Sequence, residues 1–266
     1  MSVTLADAEA RLAEARGDVA ALAALEQRHL ERAPVRLLHD HDMRGARYLV
    51  RAHAGAPVDA EVHDRLAVAL HALRESLDVL ASALAGAPTT FPIHDSLPAF
   101  AQRARRALSP MPDAAQAGIE ALQPYHAIGG YRNGPLWLLR ELAAAPRLVL
   151  AAGGMLPDAV MGVNTRRKVE LLAEPVVTAG AFDDGGIVAS VATRIVGPDP
   201  KLDMFLRARF AFAFARDGPA RGALVGETLD ALVAHLAGPV FRTLAPSAVL
   251  PLPATRAAPP SPLRGE

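Results

Sequence analysis

Three side chains on one predicted helix combine an imidazole, a guanidinium and a carboxylate. His71, Arg74 and Asp78 follow one another at spacings of three and four residues, so a helix places them on one flank. An imidazole can transfer a proton near neutral pH, and a guanidinium can hold a phosphate. The same spacing also fits a structural edge in which Arg74 and Asp78 form an ion pair along the helix. Both interpretations stay open at this point.

A second polar run, His39, Asp40, His41 and Asp42, alternates imidazole and carboxylate groups. Both side-chain types are common metal ligands. The rest of the sequence offers no further pair of ligands at a matching spacing. We therefore disfavour a metal site and expect a hydrated turn between a helix and a strand, with both histidines facing solvent.

The helix that carries the first cluster has the least ambiguous pattern in the chain. Apolar residues recur at steps of three and four from Val62 to Leu84, which gives one continuous stripe that packs on a core. Asp59 is in position to cap its N-terminus. Gly86 is expected to end it, because glycine accepts the left-handed conformation of a helix C-cap.

A long helix is also predicted over Thr4–Glu31. Thr4 and Asp7 have the spacing of a capping box, in which each side chain satisfies a backbone N–H of the first turn. The apolar stripe of this helix is narrow and rich in alanine. Such a stripe fits either a helix hairpin within the chain or a contact between two copies of it.

The predicted strands lie mostly in the second half of the chain. Alternation or β-branched content indicates strands at Arg44–Ala54, Ile187–Val196 and Met204–Ala215. We expect them in an antiparallel sheet of three or four strands, with the last two adjacent as a hairpin. Further helices are predicted over Leu97–Leu108, Asp113–Leu122, Pro135–Ala151 and Leu224–Leu244. We expect Pro146 to kink or divide the third of these and Gly238-Pro239 to kink the last.

These elements predict an α+β fold, with a mainly helical body, a small antiparallel β-sheet and a C-terminal helix. We expect residues 1–33 to form the N-terminal helix and residues 34–245 to form a single α+β domain. Residues 246–266 are rich in proline and are expected to be a disordered tail.

Composition excludes several classes of function. Among 266 residues the basic and acidic side chains balance at 28 each, so bulk attraction to nucleic acid or to an anionic membrane is not indicated. The chain has no cysteine, which removes disulfides and thiol nucleophiles and fits the reducing cytoplasm. Charges interrupt both the N-terminus and the most apolar stretch, Leu136–Val163, so we expect no signal peptide and no membrane span. No glycine-rich phosphate loop or other cofactor motif occurs, and we expect no cofactor.

Four strings in the chain resemble a family of uncharacterised bacterial and phage proteins. They are ALHALRESLDVLASALA, FPI, LQPY and PLWLLRELAAAPRLVL. The family pattern is near HNLRSALDHLAWQL, then FPI, LQPY and LWLLHELNNIDKHRLLL. The order and spacing correspond from about Tyr48 to Leu244. The family helix carries an arginine followed five positions later by a histidine, which is similar to the motif of HEPN domains. HEPN domains are helical modules, many of them metal-independent ribonucleases of toxin and phage-defence systems, which pair as dimers.

This chain departs from that pattern at the positions that matter for chemistry. The family arginine and aspartate match Arg74 and Asp78, but the histidine position is Val79 and the asparagine position is Ala72. The run Asp-Lys-His-Arg falls at Ala145-Pro146-Arg147, where only the arginine is kept. RNA cleavage by the 2′-hydroxyl needs a group that moves a proton, and valine cannot do so.

The resemblance therefore implies a non-catalytic HEPN-like binding or scaffold protein, expected to be a homodimer in the cytoplasm, with a protein partner favoured over RNA. One alternative is a metal-independent ribonuclease in which His71 replaces the missing histidine and acts with Arg74. A second alternative is a structural protein that self-associates through its N-terminal helix. The sequence does not favour an enzyme. The only candidate catalytic residues are His71, Arg74 and Asp78.

Overall fold

The computed structural model describes residues 3–248 except for 43, 146 and 199. It has an α+β fold in which a mainly helical body carries small antiparallel sheets and a C-terminal helix, as predicted. The expectation of a disordered tail falls, from residue 249 onward, outside the described residues. Residues 246–248 of that expected tail belong to the last helix instead.

The helical body is built from eight α-helices among the described residues. They are α1 (Leu5–Arg32), α2 (Ala60–Ala85), α3 (Leu97–Arg103), α4 (Arg105–Leu108), α5 (Asp113–Ala121), α6 (Pro135–Ala144), α7 (Val225–His235) and α8 (Phe241–Ala248). Short 3₁₀ turns at Pro124–His126 and Tyr131–Asn133 precede α6, and one π-helical turn, Leu236–Val240, joins α7 to α8. This turn contains Pro239 and confirms the predicted interruption near Gly238-Pro239.

The first two helices form an antiparallel pair. The capping box predicted at Thr4 and Asp7 is present, and the alanine-rich stripe of α1 is buried against α2 in the main hydrophobic cluster. Arg11 forms an ion pair with Glu75 of α2, and Arg65 lies 3.4 Å from Asp18. Of the two uses considered for the stripe, the chain employs it for the helix pair within one molecule.

Both predicted ends of α2 are in place, although one cap works differently from expectation. Gly86 ends the helix at φ 66°, the left-handed conformation that glycine adopts at little cost. Asp59 occupies the N-cap position but makes no side-chain bond to its own helix. Its carboxylate accepts hydrogen bonds from Arg32 and the buried His29 of α1, so it joins the two helices.

Ten strands, all paired antiparallel, form three small sheets among the described residues. They are β1 (Arg36–Asp42), β2 (Arg47–His53), β3 (Gly153–Met155), β4 (Val160–Arg167), β5 (Val169–Leu171), β6 (Val176–Val177), β7 (Gly180–Phe182), β8 (Gly186–Ile195), β9 (Lys201–Arg207) and β10 (Phe210–Ala211). The largest sheet has the order β1-β2-β8-β5, and β6 also pairs with β8; the others are β10-β3-β7 and β4-β9.

Strands β2 and β8 lie in one sheet, as predicted, although that sheet has five strands rather than three or four. The predicted hairpin between the last two strands is wrong. The run Met204–Ala215 is divided, and β9 pairs with β4 rather than with β8. Burial alternates along β9 as expected, but alternation specifies the faces of a strand and not its partner. The pairing with β4 places the ring of Phe205 over Gly162, where any β-carbon would collide with it.

Helix α6 ends at Ala144, just before Pro146, where a kink or a division was expected. The predicted continuation to Ala151 is wrong, because residues 147–151 are not helical. Ala145 is extended, with φ −65° and ψ 125°, because a residue before proline avoids the helical region. The predicted helix Leu97–Leu108 is divided at Ala104 into α3 and α4. Helix α8 continues past the predicted end at Leu244 to Ala248. Among the residues with described coordinates, no helix combines the length and the apolar character needed to cross a membrane.

Candidate functional site

Arg74 and Asp78 bind each other and also the backbone of the extended segment that follows α2. Arg74 Nη2 donates to Asp78 Oδ1 at 3.0 Å and to the carbonyl oxygen of Phe91 at 2.6 Å. The N–H of Phe91 donates to Asp78 Oδ1 at 2.8 Å. The ring of Phe91 is fully buried, so its backbone groups need partners from the protein. The two side chains provide them.

Two further side chains hold the same extended segment. Gln123 Nε2 donates to the carbonyl oxygen of Pro92 at 2.9 Å, and Gln123 Oε1 accepts from the N–H of His94 at 2.8 Å. Arg140 Nη1 donates to the carbonyl oxygen of Ile93 at 3.0 Å. We call Arg74, Asp78, Gln123 and Arg140 the 91–94 clamp, because together they bind every residue from Phe91 to His94. Such a set of bonds fixes a segment that is neither helix nor strand.

Burial perturbs both charged groups of the Arg74–Asp78 pair. Burial lowers the pKa of the Arg74 guanidinium, while the charge of Asp78 opposes that shift. Burial raises the pKa of Asp78, opposed mainly by Arg74 and by the N–H of Phe91. Only 16 % of the Arg74 side chain is exposed, and its Nη1 atom is buried without a hydrogen-bond partner among the described residues. Its guanidinium is therefore turned into the protein.

Two further positions of the predicted site are His71 and Val79. His71 is exposed on α2, and within the described part of the chain no hydrogen bond or ion pair joins it to Arg74 or Asp78. Val79, at the position where the resembling family has histidine, is half-buried and packs on the main hydrophobic cluster. The structure thus joins two of the three candidate residues and leaves the third apart from them.

The expected turn at His39–Asp42 is wrong, because all four residues lie in β1 and pair with β2. Alternate side chains of a strand point to opposite faces, so the four groups do not converge. Asp40 lies 3.4 Å from Arg51, and the ring of His41 stacks on Tyr48 at 4.0 Å. His39 is exposed, but His41 is half-buried rather than facing solvent. In the part of the chain that the structure describes, no group of three or more His, Asp or Glu side chains could hold a metal ion.

Two members of the 91–94 clamp were not predicted from the sequence. Gln123 and Arg140 lie in the strings LQPY and PLWLLREL that carry the resemblance, yet neither was given a role. Gln123 is 2 % exposed. Its amide has both a donor and an acceptor, so one buried glutamine can satisfy a C=O and an N–H of irregular backbone.

Comparisons with models of protein families, with curated protein sequences and with solved structures returned no match. The geometry of the side chains is therefore the basis for inferring function.

Proposed function

We propose that the chain is a non-catalytic binding or scaffold protein with HEPN-like helices. The observation that supports this proposal is the state of Arg74. Its guanidinium is bound to Asp78 and to the carbonyl oxygen of Phe91, so it acts on the fold rather than on a ligand. The HEPN-like character comes from the sequence resemblance.

The competing function, a ribonuclease that uses Arg74 and His71, needs a different arrangement. Arg74 makes these bonds through Nη2, and its unpartnered Nη1 atom is buried. The guanidinium would therefore have to turn out of the protein, away from Asp78 and the carbonyl oxygen of Phe91, before it could hold a phosphate. Charge-assisted hydrogen bonds of this kind are among the strongest in proteins. General acid–base assistance contributes roughly 10²–10⁴-fold to a reaction. Val79 cannot provide it, and the exposed His71 is not oriented by Arg74 or Asp78.

We further propose a homodimer located in the cytoplasm, with a protein as the expected partner. The stripe of α1, which suggested self-association, is occupied by α2. Most exposed large apolar side chains lie instead on the strands and the loops beside them, including Val160, Val176 and Phe205. Light scattering over a range of protein concentrations tests the dimer, and a constant monomer mass would eliminate it.

Incubation of the purified chain with structured and single-stranded RNA tests the proposed function. We expect no cleavage by the wild-type protein. His71→Ala and Arg74→Ala variants are assayed in parallel, and His63→Ala is the control because this histidine lies on the same helix outside the cluster. Cleavage that is lost in the first two variants and kept in the control would establish the ribonuclease instead.

A further inference from the structure

An open cleft of about 670 Å³ lies between α6 and the loop that follows β10. Three arginines line it: Arg132 comes from the 3₁₀ turn before α6, and Arg216 and Arg221 come from the loop. In a chain whose charges balance overall, three guanidiniums in one cleft are a local excess. The volume is within the range of sites for small molecules.

None of these three arginines has a carboxylate within ion-pair distance among the residues that the structure describes. Arg74 and Arg209, by contrast, each have one, and Arg140 has two. Two carboxylates also line the cleft, but Glu141 is bound by Arg140 at 2.8 Å. The three guanidiniums therefore face one remaining carboxylate, that of the exposed Asp217.

Two of the guanidiniums are held in place by uncharged groups. The Arg132 guanidinium lies over the ring of Tyr131, 5.6 Å from its centre, and Nε donates to the Tyr131 hydroxyl at 3.2 Å. Arg216 Nη2 donates to the carbonyl oxygen of Ala181. A guanidinium has five N–H donors, so each keeps donors for an anion. A fixed guanidinium loses less side-chain entropy when it binds a ligand.

The backbone beside the cleft is in an unfavourable conformation. Arg221 has φ 50°, a left-handed value that residues other than glycine, asparagine and aspartate seldom adopt, and Gly222 follows at φ 82°. The turn is held by a bond from the N–H of Arg221 to the carbonyl oxygen of Gly218 at 3.1 Å. Strain of this kind persists where the surroundings enforce it, and it is common at binding sites. This turn places Arg221 at the cleft.

We propose that this cleft binds a small molecule that carries phosphate groups. Guanidiniums bind phosphate oxygens in pairs of parallel hydrogen bonds, and three of them match a multiply charged phosphate better than a single carboxylate. Trp137, which is 8 % exposed and in edge contact with Tyr131, forms an apolar wall for the organic part. The inference goes beyond the proposed function, since none of the three arginines belongs to the 91–94 clamp.

Calorimetric titration of the full chain with ADP and with pyrophosphate at low salt tests this inference. We expect both to bind, and we expect Arg132→Gln and Arg221→Gln each to weaken binding by about tenfold or more, since each removes charge-assisted hydrogen bonds. Arg105→Gln is the matched control, because Arg105 is exposed on α4 and does not line the cleft. Circular dichroism verifies that each variant is folded.

Three results would overturn the inference. The first is that neither compound binds at concentrations up to about 1 mM. The second is that Arg105→Gln weakens binding as much as the cleft variants do. The third is that neither cleft variant weakens binding. A different outcome is that the chain binds single-stranded RNA but neither ADP nor pyrophosphate. If both cleft variants lost that binding, the ligand would be a polymer and the inference would be overturned. None of these results changes the RNA-cleavage assay at Arg74 and His71, so failure here and failure of the proposed function are distinguishable.

Discussion

Replacing Arg74 by alanine separates a structural from a catalytic role for this residue. The substitution removes two charge-assisted hydrogen bonds, one to Asp78 and one to the carbonyl oxygen of Phe91. Hydrogen bonds to charged groups contribute about 1.5–3 kcal/mol each. Asp78 keeps the N–H of Phe91 and is 32 % exposed, so water recovers part of the loss. We therefore expect Arg74→Ala to lower the free energy of unfolding by about 2–4 kcal/mol.

Urea unfolding followed by circular dichroism measures this change, with linear extrapolation to zero denaturant. His71→Ala is the control, since His71 is exposed on the same helix, and it should stay within about 0.5 kcal/mol of the wild type. Arg74→Lys should lower the free energy of unfolding by more than His71→Ala and by less than Arg74→Ala. Lysine keeps the positive charge, but its ammonium group lacks the planar fork of donors. A change below about 0.5 kcal/mol for Arg74→Ala would refute the structural role and return Arg74 to the list of candidate ligand-binding residues.

Two further predictions concern stability. Burial raises the pKa of Glu26 to about 7 from its usual 4.5, opposed by the backbone N–H of Phe212. The folded state therefore holds the proton more tightly than the unfolded chain, and stability should fall as pH rises from about 4.5 through 7. Glu26→Gln should raise the free energy of unfolding by roughly 1–2 kcal/mol at pH 8 and change it little at pH 4; equal effects at the two pH values would contradict this. Gln123→Ala should lower the free energy of unfolding by about 2–4 kcal/mol, because it leaves the carbonyl oxygen of Pro92 and the N–H of His94 without their partner. Gln116→Ala, which removes one half-buried bond to Met111, should cost less, and equal losses in urea unfolding would argue against the clamp.

Helices could be predicted well from the sequence because their signals are local. The capping box at Thr4 and the glycine at position 86 each act within one turn, and both are present in the structure. Strand pairing depends instead on residues far apart in the chain. The pattern of β9 gave its two faces correctly, but its partner β4 lies some forty residues earlier and contains Gly162, which weakens any strand signal.

The candidate site shows the same division between local and distant contacts. The ion pair between Arg74 and Asp78 follows from a spacing of four residues on one helix, and it was one of the two interpretations that the sequence left open. The bond from Arg74 to Phe91 spans seventeen residues, and the bond from Gln123 to Pro92 spans thirty-one. Such contacts arise only when the chain is folded, so spacing alone could not separate a phosphate-binding arginine from a structural one.

The four strings that carried the resemblance meet at one place in the structure. The string that contains Arg74 and Asp78, the string LQPY with Gln123 and the string with Arg140 all bind the backbone of the fourth, FPI. These contacts explain the order of the strings along this chain, because three of them satisfy polar backbone groups of the fourth. The arginine and aspartate of the helix are explained by this role without any catalytic step. Val79 packs on the main hydrophobic cluster and is not among the side chains of the clamp. The fold therefore accounts for Arg74 and Asp78, and the HEPN-like character of the chain stays a proposal that rests on the sequence resemblance alone.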